Sequence, residues 1–337
     1  MDVSTANGII DIHCHTAGIG ARNSGCFISP AMRRSWRYRM FLNAFGVTEQ
    51  ELLNEGDSLV MRRTSERLAT SKRVTAAVIL AMDGAVDDKG ELDRAQTEMF
   101  IPNEFVAAET ARYPNLLFGA SINPLRRDAL ERLERAAADG AVLVKWLPSI
   151  QHFDPADRRL TPFYLKLREL GLPLLTHTGS EKSFTRTRNE LADPERLRLP
   201  LSLGVRVIAA HAASNGRNQG ESNHRRFLRL CGEYTNLYAD ISALTQLNRL
   251  THLQRLLKHP ELFGRLLYGT DMPIPNTAAV TPFGFPNRIS PRRLLQISRI
   301  ANPWDQDVAL KEALGVPEQI FFNAHSVIRL QAAGVPQ

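Results

Sequence analysis

The sequence predicts an α/β protein whose strands close into a (β/α)8 TIM barrel, with a helical insertion after the first strand. Three observations predict it. Eight short apolar runs alternate with helical patterns, and strict strand–helix alternation makes a parallel sheet. The length, 337 residues, suits one such barrel. Four of the runs lead directly into histidine or aspartate, and the C-terminal ends of barrel strands are where functional groups gather. A doubly wound open sheet is the other arrangement that the alternation allows. No Gly-x-Gly-x-x-Gly opens a helix and no phosphate-binding loop is present; Gly18-x-Gly20 alone is a weak signal.

The first run is Ile9-Ile10-Asp11-Ile12-His13-Cys14-His15. Side chains alternate faces along a strand, so His13 and His15 point the same way at its end. From Ala17 to about Arg73 the chain turns polar and basic. Ser29-Pro30 reads as an N-cap with proline in the first turn, and Thr48-x-x-Glu51 as a capping box, so this region is a helical insertion. The whole chain, 1–337, reads as one domain with 17–73 inserted. The arginines at 33, 34, 37 and 39 read as a solvated helix face. Trp36, Tyr38, Met40 and Phe41 are candidates for roofing the barrel mouth or for covering a second copy in a homodimer.

The alternation then settles. Val74–Met82, Leu116–Ile122, Ala141–Trp146, Leu172–Thr176, Val205–Ala210, Leu237–Ile241 and Arg265–Gly269 read as strands. Pro102–Tyr113, Asp128–Ala138, Thr161–Leu170, Phe227–Tyr234 and His252–Leu257 read as helices. Two more helices are opened by Ser290-Pro291 and by Pro317.

Composition narrows the class. Hydrophobic residues make up 43% and charged residues 23%, which is ordinary for a protein with a substantial core. The formal net charge is +7, which suits anionic substrates or a polyanionic surface. Three cysteines, Cys14, Cys26 and Cys231, form no disulfide framework and no zinc-binding pair, so a reducing cytoplasm is the expected compartment. No secretory leader and no membrane-spanning run is seen.

The candidate chemistry lies at the strand ends. His13 and His15 end the first run, Lys145 the fourth, His177 the fifth, His211 the sixth, and Asp271, in Gly269-Thr270-Asp271-x-Pro273, the eighth. Of nine histidines, four sit in this context. Imidazole pairs on one face suit zinc and neighbouring divalent metals.

This ordered set resembles the amidohydrolase superfamily, nearest to the branch of metal-dependent hydrolases and decarboxylases that includes aminocarboxymuconate-semialdehyde decarboxylase. The resemblance covers nearly the whole chain. It implies a distorted (β/α)8 barrel with one, or two, divalent metals, usually zinc. It implies that His13, His15 and His177 are metal ligands and that Asp271 touches the metal and its water. His211 is then a ligand of a second metal or a catalytic acid/base. Lys145 either bridges two metals as a carbamate or, unmodified beside a single metal, binds substrate as a point charge. The physical reading supports the same roles: a metal lowers the pKa of its water and polarises a carbonyl, and Asp271 is suited to carry the proton.

Arg22, Arg186, Arg188 and Arg217 lie in loops expected at the mouth, and Arg22, Arg186 and Arg217 are the candidates for clamping an anionic group. Asp83 and Glu181 are candidates for orienting imidazoles, and Ser214 and Asn215 for touching substrate. The reading favoured is a hydrolase in which metal-activated water attacks an amide, ester or lactone carbonyl of a small anionic substrate. A non-oxidative decarboxylase or hydratase on the same barrel is the second. A non-enzymatic nucleic-acid or protein-binding module, using the insertion's arginines, is the third; it leaves the histidines unexplained.

Overall fold

The structure is a computed structural model and describes residues 8–330. Eight parallel strands follow one another around the sheet in chain order: β1 (Ile9–His15), β2 (Val74–Leu80), β3 (Leu116–Ala120), β4 (Leu143–Trp146), β5 (Leu174–Thr176), β6 (Val207–Ala209), β7 (Leu237–Asp240) and β8 (Leu266–Leu267). The tyrosine and methionine just past β8 close the ring onto β1. Ile12 N donates to Tyr268 O at 3.2 Å, and His15 N to Met272 O at 2.8 Å. The architecture is the TIM barrel that the alternation predicts.

Two apolar layers result from the strand period of two. Ile10, Ile12, Ala76, Val78, Leu143, Leu175, Ile208 and Leu267 fill the barrel interior. The alternate residues, such as Ile79, Val144, Leu174 and Val207, pack outward on the helices. The N-terminal end of the barrel is plugged by the C-terminal segment. Ala324, Val327 and Ile328 join the interior cluster, while His325 Nε2 meets Gly8 O at 2.7 Å and Arg329 N donates to Val142 O at 2.9 Å.

Between β1 and β2 lie four helices: α1 (Pro30–Arg34), α2 (Trp36–Phe45), α3 (Glu49–Glu55) and α4 (Ser58–Ala69). Ser29 Oγ accepts from Met32 N, and the Thr48/Glu51 capping box forms in both directions. Each such cap is worth about 1 kcal/mol because it satisfies an amide that a helix start leaves unpaired. Helix α2 buries Tyr38 and Leu42 against α3 and α4. Its Phe41 and Phe45 instead face the barrel mouth, where they line the main cavity. Asn276 Nδ2, from the loop after β8, donates to Ala44 O at 2.8 Å and ties the α2 end to that loop.

Several helices depart from the sequence expectation, among them the short Pro148–Gln151 and Arg198–Ser202. Pro303–Ala313 is helical, opened by Asn302, whose side chain accepts from Trp304 N and Asp305 N. It props the end of β8 from behind: Lys311 Nζ donates to Gly269 O at 2.8 Å and pairs with Asp307 at 2.6 Å, all buried. The helix expected from Phe227 starts four residues earlier, at Asn223, because Ser222 is its cap. Among the described residues no helix is long and apolar enough to cross a membrane.

Candidate metal centre at the barrel mouth

His13, His15 and Asp271 come together because three backbone arrangements converge. The β1–β2 register shifts between Asp11 and Cys14, and both imidazoles still reach the same carboxylate. His15 Nε2 lies 3.2 Å and His13 Nε2 3.4 Å from Asp271 Oδ1. Asp271 N donates to His13 O at 2.9 Å, which stitches the turn after β8 to the end of β1. Asp11 strengthens the same seam by accepting from His13 N, Thr270 N and Thr270 Oγ1 and from the Trp304 indole. Gly269 permits the approach, since a Cβ there would stand 3.0 Å from His13 Cβ.

Strand-end backbone is held in the left-handed region. Asp271 has φ 65°, and His211 and Ala212 have φ 57° and 47°. For non-glycine residues this costs on the order of 1 kcal/mol or more each. It is compensated by anchoring bonds: His211 N donates to Asp240 Oδ1 at 2.8 Å, and Thr178 Oγ1 to Ala210 O at 2.9 Å.

Asp240 is the hub that sequence reasoning missed. It is fully buried at the end of β7. Its Oδ2 lies 2.8 Å from His13 Nδ1, and its Oδ1 accepts from His211 N, Ser242 N and Ser242 Oγ. Burial works against its charge, but His13 and the other donors hold it far below the ordinary carboxylate range. A neutral His13 that donates from Nδ1 to Asp240 carries its lone pair on Nε2, which faces Lys145 Nζ and Asp271. Ser242 Oγ lies 2.8 Å from His211 Nδ1, so the same hub seats both imidazoles. The signal was present, because Leu237-Tyr238-Ala239-Asp240 is an apolar run ending in a carboxylate.

Burial pushes the His13, His177 and His211 pKa values down, that of His177 to about 4. All three are therefore neutral near pH 7, the state that ligates metal. Burial also works against the Asp271 carboxylate, yet the His211, His15 and His13 nitrogens around it hold it well below its ordinary range. Lys145 is fully buried, and burial pushes it down to about 8; its Nζ lies 2.9 Å from His13 Nε2.

The donor set fits a divalent cation. One ligand atom from each of His13, His15 and Asp271 lies within 4.8 Å of the others. His13, His211 and Asp240 form a second such set, though there Asp240 reaches His13 through Nδ1 as an orienting partner. His177 stands beside His211, ring centroids 5.3 Å apart. Its Nε2 is buried with no hydrogen-bond partner among the described residues, an orphan that a cation or a water would satisfy. Its nearest carboxylate, Glu181, is 3.7 Å away, too far for a hydrogen bond.

Other expected residues fall elsewhere. Asp83 touches no imidazole; it forms a buried ion pair with Arg126, Nε–Oδ2 2.7 Å, joining the loops after β2 and β3. Arg22, Arg186 and Arg217 are exposed and do not line the cavity. Each is turned toward a nearby carbonyl instead, of Asn54, Ala95 and Gly220 respectively. Arg188 is exposed beside Glu190. Ser214 is buried, and Asn215 lines the cavity. The arginine that does line it is Arg249, from the loop after β7, alongside Lys145 and Lys182. The cavity, of about 170 Å³, holds the histidines, Lys145 and Asp271, together with Phe41, Phe45, Met82, Met99 and Phe184.

Comparisons with known proteins agree with this architecture. A putative 2-pyrone-4,6-dicarboxylic acid hydrolase from Pseudomonas putida is 16% identical, with 96% of this chain and 95% of that one covered and a TM-score of 0.53. A probable enzyme of the same description from Acinetobacter baumannii, with citric acid bound, is 13% identical over 95% and 98%, with a TM-score of 0.56. The 5-carboxyvanillate decarboxylase of Sphingomonas paucimobilis is 11% identical over 97% and 100%, with a TM-score of 0.51. At these identities the likeness is one of fold. No curated protein matches the chain. The model of the amidohydrolase family matches residues 10–292, a span that runs from β1 past Asp271 and so includes every residue of the cluster: the chain belongs to the amidohydrolase family.

Proposed function

We propose that this protein is a metal-dependent hydrolase acting on an amide, ester or lactone carbonyl of a small anionic substrate, with zinc as its metal. The observation that carries the reading is the convergence of His13, His15 and Asp271 within 4.8 Å at the open end of the barrel. His13, His15 and Asp271 would hold the cation, with His177 as a further ligand. When bound, a divalent cation supplies a Lewis acid that polarises a carbonyl and acidifies water.

The chain's own groups do the rest. Asp271, ionised and 14% exposed, meets the cavity and is suited to take a proton from the attacking water and return it to the leaving group. His211 Nε2 lies 4.0 Å from Asp271 Oδ2. With Nδ1 engaged by Ser242, it is placed to exchange a proton with substrate or to hold the carboxylate in register. Asp240 fixes the His13 tautomer. Lys145, fully buried beside His13, sets positive charge where a carbonyl oxygen gathers negative charge. Phe41 and Phe45 exclude water from the mouth.

A non-oxidative decarboxylase is the second reading. It is favoured by the buried cations Lys145 and Arg249 at one apolar cavity, which suit an acidic ring. A panel of lactones, amides and aromatic acids, including 2-pyrone-4,6-dicarboxylate and 5-carboxyvanillate, run in H₂¹⁸O, separates the two. Hydrolysis puts ¹⁸O in the organic product, whereas decarboxylation releases CO₂ and leaves the organic product unlabelled. Dialysis against a chelator is expected to abolish turnover, and zinc to restore it. Full turnover with no detectable metal contradicts the metal-dependent reading.

A further inference from the structure

Arg249 is a buried cation without a counter-ion. Its residue is 7% exposed, and its Nε and Nη1 are buried with no hydrogen-bond partner among the described residues. No carboxylate of the described residues lies within 4.0 Å of it, whereas the buried Arg126, Arg226 and Lys311 each have one at 2.9 Å or closer. Its charge is felt by His177 and His211, whose protonation it opposes, and by Asp271 and Glu181. The guanidinium therefore lines the same cavity as the histidine cluster.

An unpaired buried guanidinium is costly, because desolvation is not repaid by a partner. It occurs here in the wall of a cavity, where a ligand can supply that partner. A guanidinium offers a planar fork of donors that matches a carboxylate. Beside it the cavity wall is apolar and aromatic, from Phe41, Phe45, Met82, Met99 and Phe184. A flat apolar body with a carboxylate at one end satisfies both features.

We propose that Arg249 is a substrate-binding residue that clamps a carboxylate of a planar, ring-shaped substrate within the cavity of the histidine cluster. This deepens the hydrolase reading and rests on it for the word substrate; the binding itself stands without turnover. The sequence offers Arg22, Arg186 and Arg217 as candidates for such a clamp. The arginine that lines the cavity is the buried Arg249.

The test is calorimetric titration of the purified full chain with isophthalate, a planar dicarboxylate, and with its neutral diamide. The wild type is expected to bind isophthalate saturably and the diamide at least tenfold more weakly. Arg249→Gln should weaken isophthalate binding roughly ten- to a hundredfold, the range expected for charge-assisted hydrogen bonds. Arg249→Lys should fall between, since it keeps the charge and loses the fork. Arg249→Met should melt at or above the wild-type temperature, because it removes an unpaired buried charge.

Equal isophthalate affinity in wild type and Arg249→Gln overturns the proposal, as does absence of saturable binding to the wild type. A lowered melting temperature in Arg249→Met, marking a structural role, overturns it too. Neither readout needs turnover. A failed activity screen therefore counts against the hydrolase reading alone, and a failed titration against the clamp alone.

Discussion

Asp271→Asn is expected to leave the fold intact and to lower turnover by roughly a thousandfold, within the range seen when a general acid–base group is removed. Asp271 sits at φ 65°, and asparagine is the non-glycine residue that adopts the left-handed region most readily. The side chains are nearly isosteric, so Thr270 and the seam to β1 stay in place. What changes is chemical. The amide cannot take a proton, and its NH₂ would compete for the His13 and His15 lone pairs that now face a carboxylate oxygen. A thousandfold loss corresponds to about 4 kcal/mol of transition-state stabilisation. The check is the rate on whichever panel substrate turns over, with the melting temperature as a control for folding. A variant that keeps the wild-type rate removes Asp271 from the mechanism.

The second large effect falls on stability. Asp240→Ala is expected to lower the unfolding free energy by about 3–5 kcal/mol, the usual cost of removing one member of a buried charged network. Four donors lose their acceptor together: His13 Nδ1, His211 N, Ser242 N and Ser242 Oγ. Two of them belong to backbone held by that bond in or beside a left-handed stretch, so the loss includes strain left to fewer anchors, such as Thr178 Oγ1 on Ala210 O. Against a total of about 5–15 kcal/mol for a folded protein, this is a large fraction. Urea unfolding measures it. Asp240→Asn, which keeps one oxygen acceptor, should lose less. A loss below about 1 kcal/mol for the alanine variant would mean that the hub is not a stabilising element.

Much of this was legible because barrel strands write their ends into the sequence. His13, His15, His177, His211 and Asp271 each follow an apolar run directly, and the structure sets them around one cavity. Asp240 obeys the same rule and was overlooked because Ile241 seemed to extend the strand. The helix at Pro303–Ala313 carried the same cap-and-proline start as Ser29-Pro30, in Asn302-Pro303. Arg249 was not legible. A loop arginine is ordinarily solvated, and only the packing of the segment after β7 over the cavity buries this one. Arg22, Arg186 and Arg217 erred in the opposite direction. Their loops were expected at the mouth, but local carbonyls take up their guanidinium groups. Insertion helix α2 lies between: its apolar residues were visible, but that Phe41 and Phe45 face the cavity while Trp36 stays 67% exposed depends on how the helix is seated.

The central claim, that His13, His15 and Asp271 hold a catalytic divalent metal, is tested most directly by elemental analysis of the purified protein beside a folded His13→Ala/His15→Ala variant. The wild type is expected to carry roughly one to two equivalents of zinc or a similar divalent metal per chain, and the double variant to carry almost none. Full metal occupancy in the double variant would contradict the account.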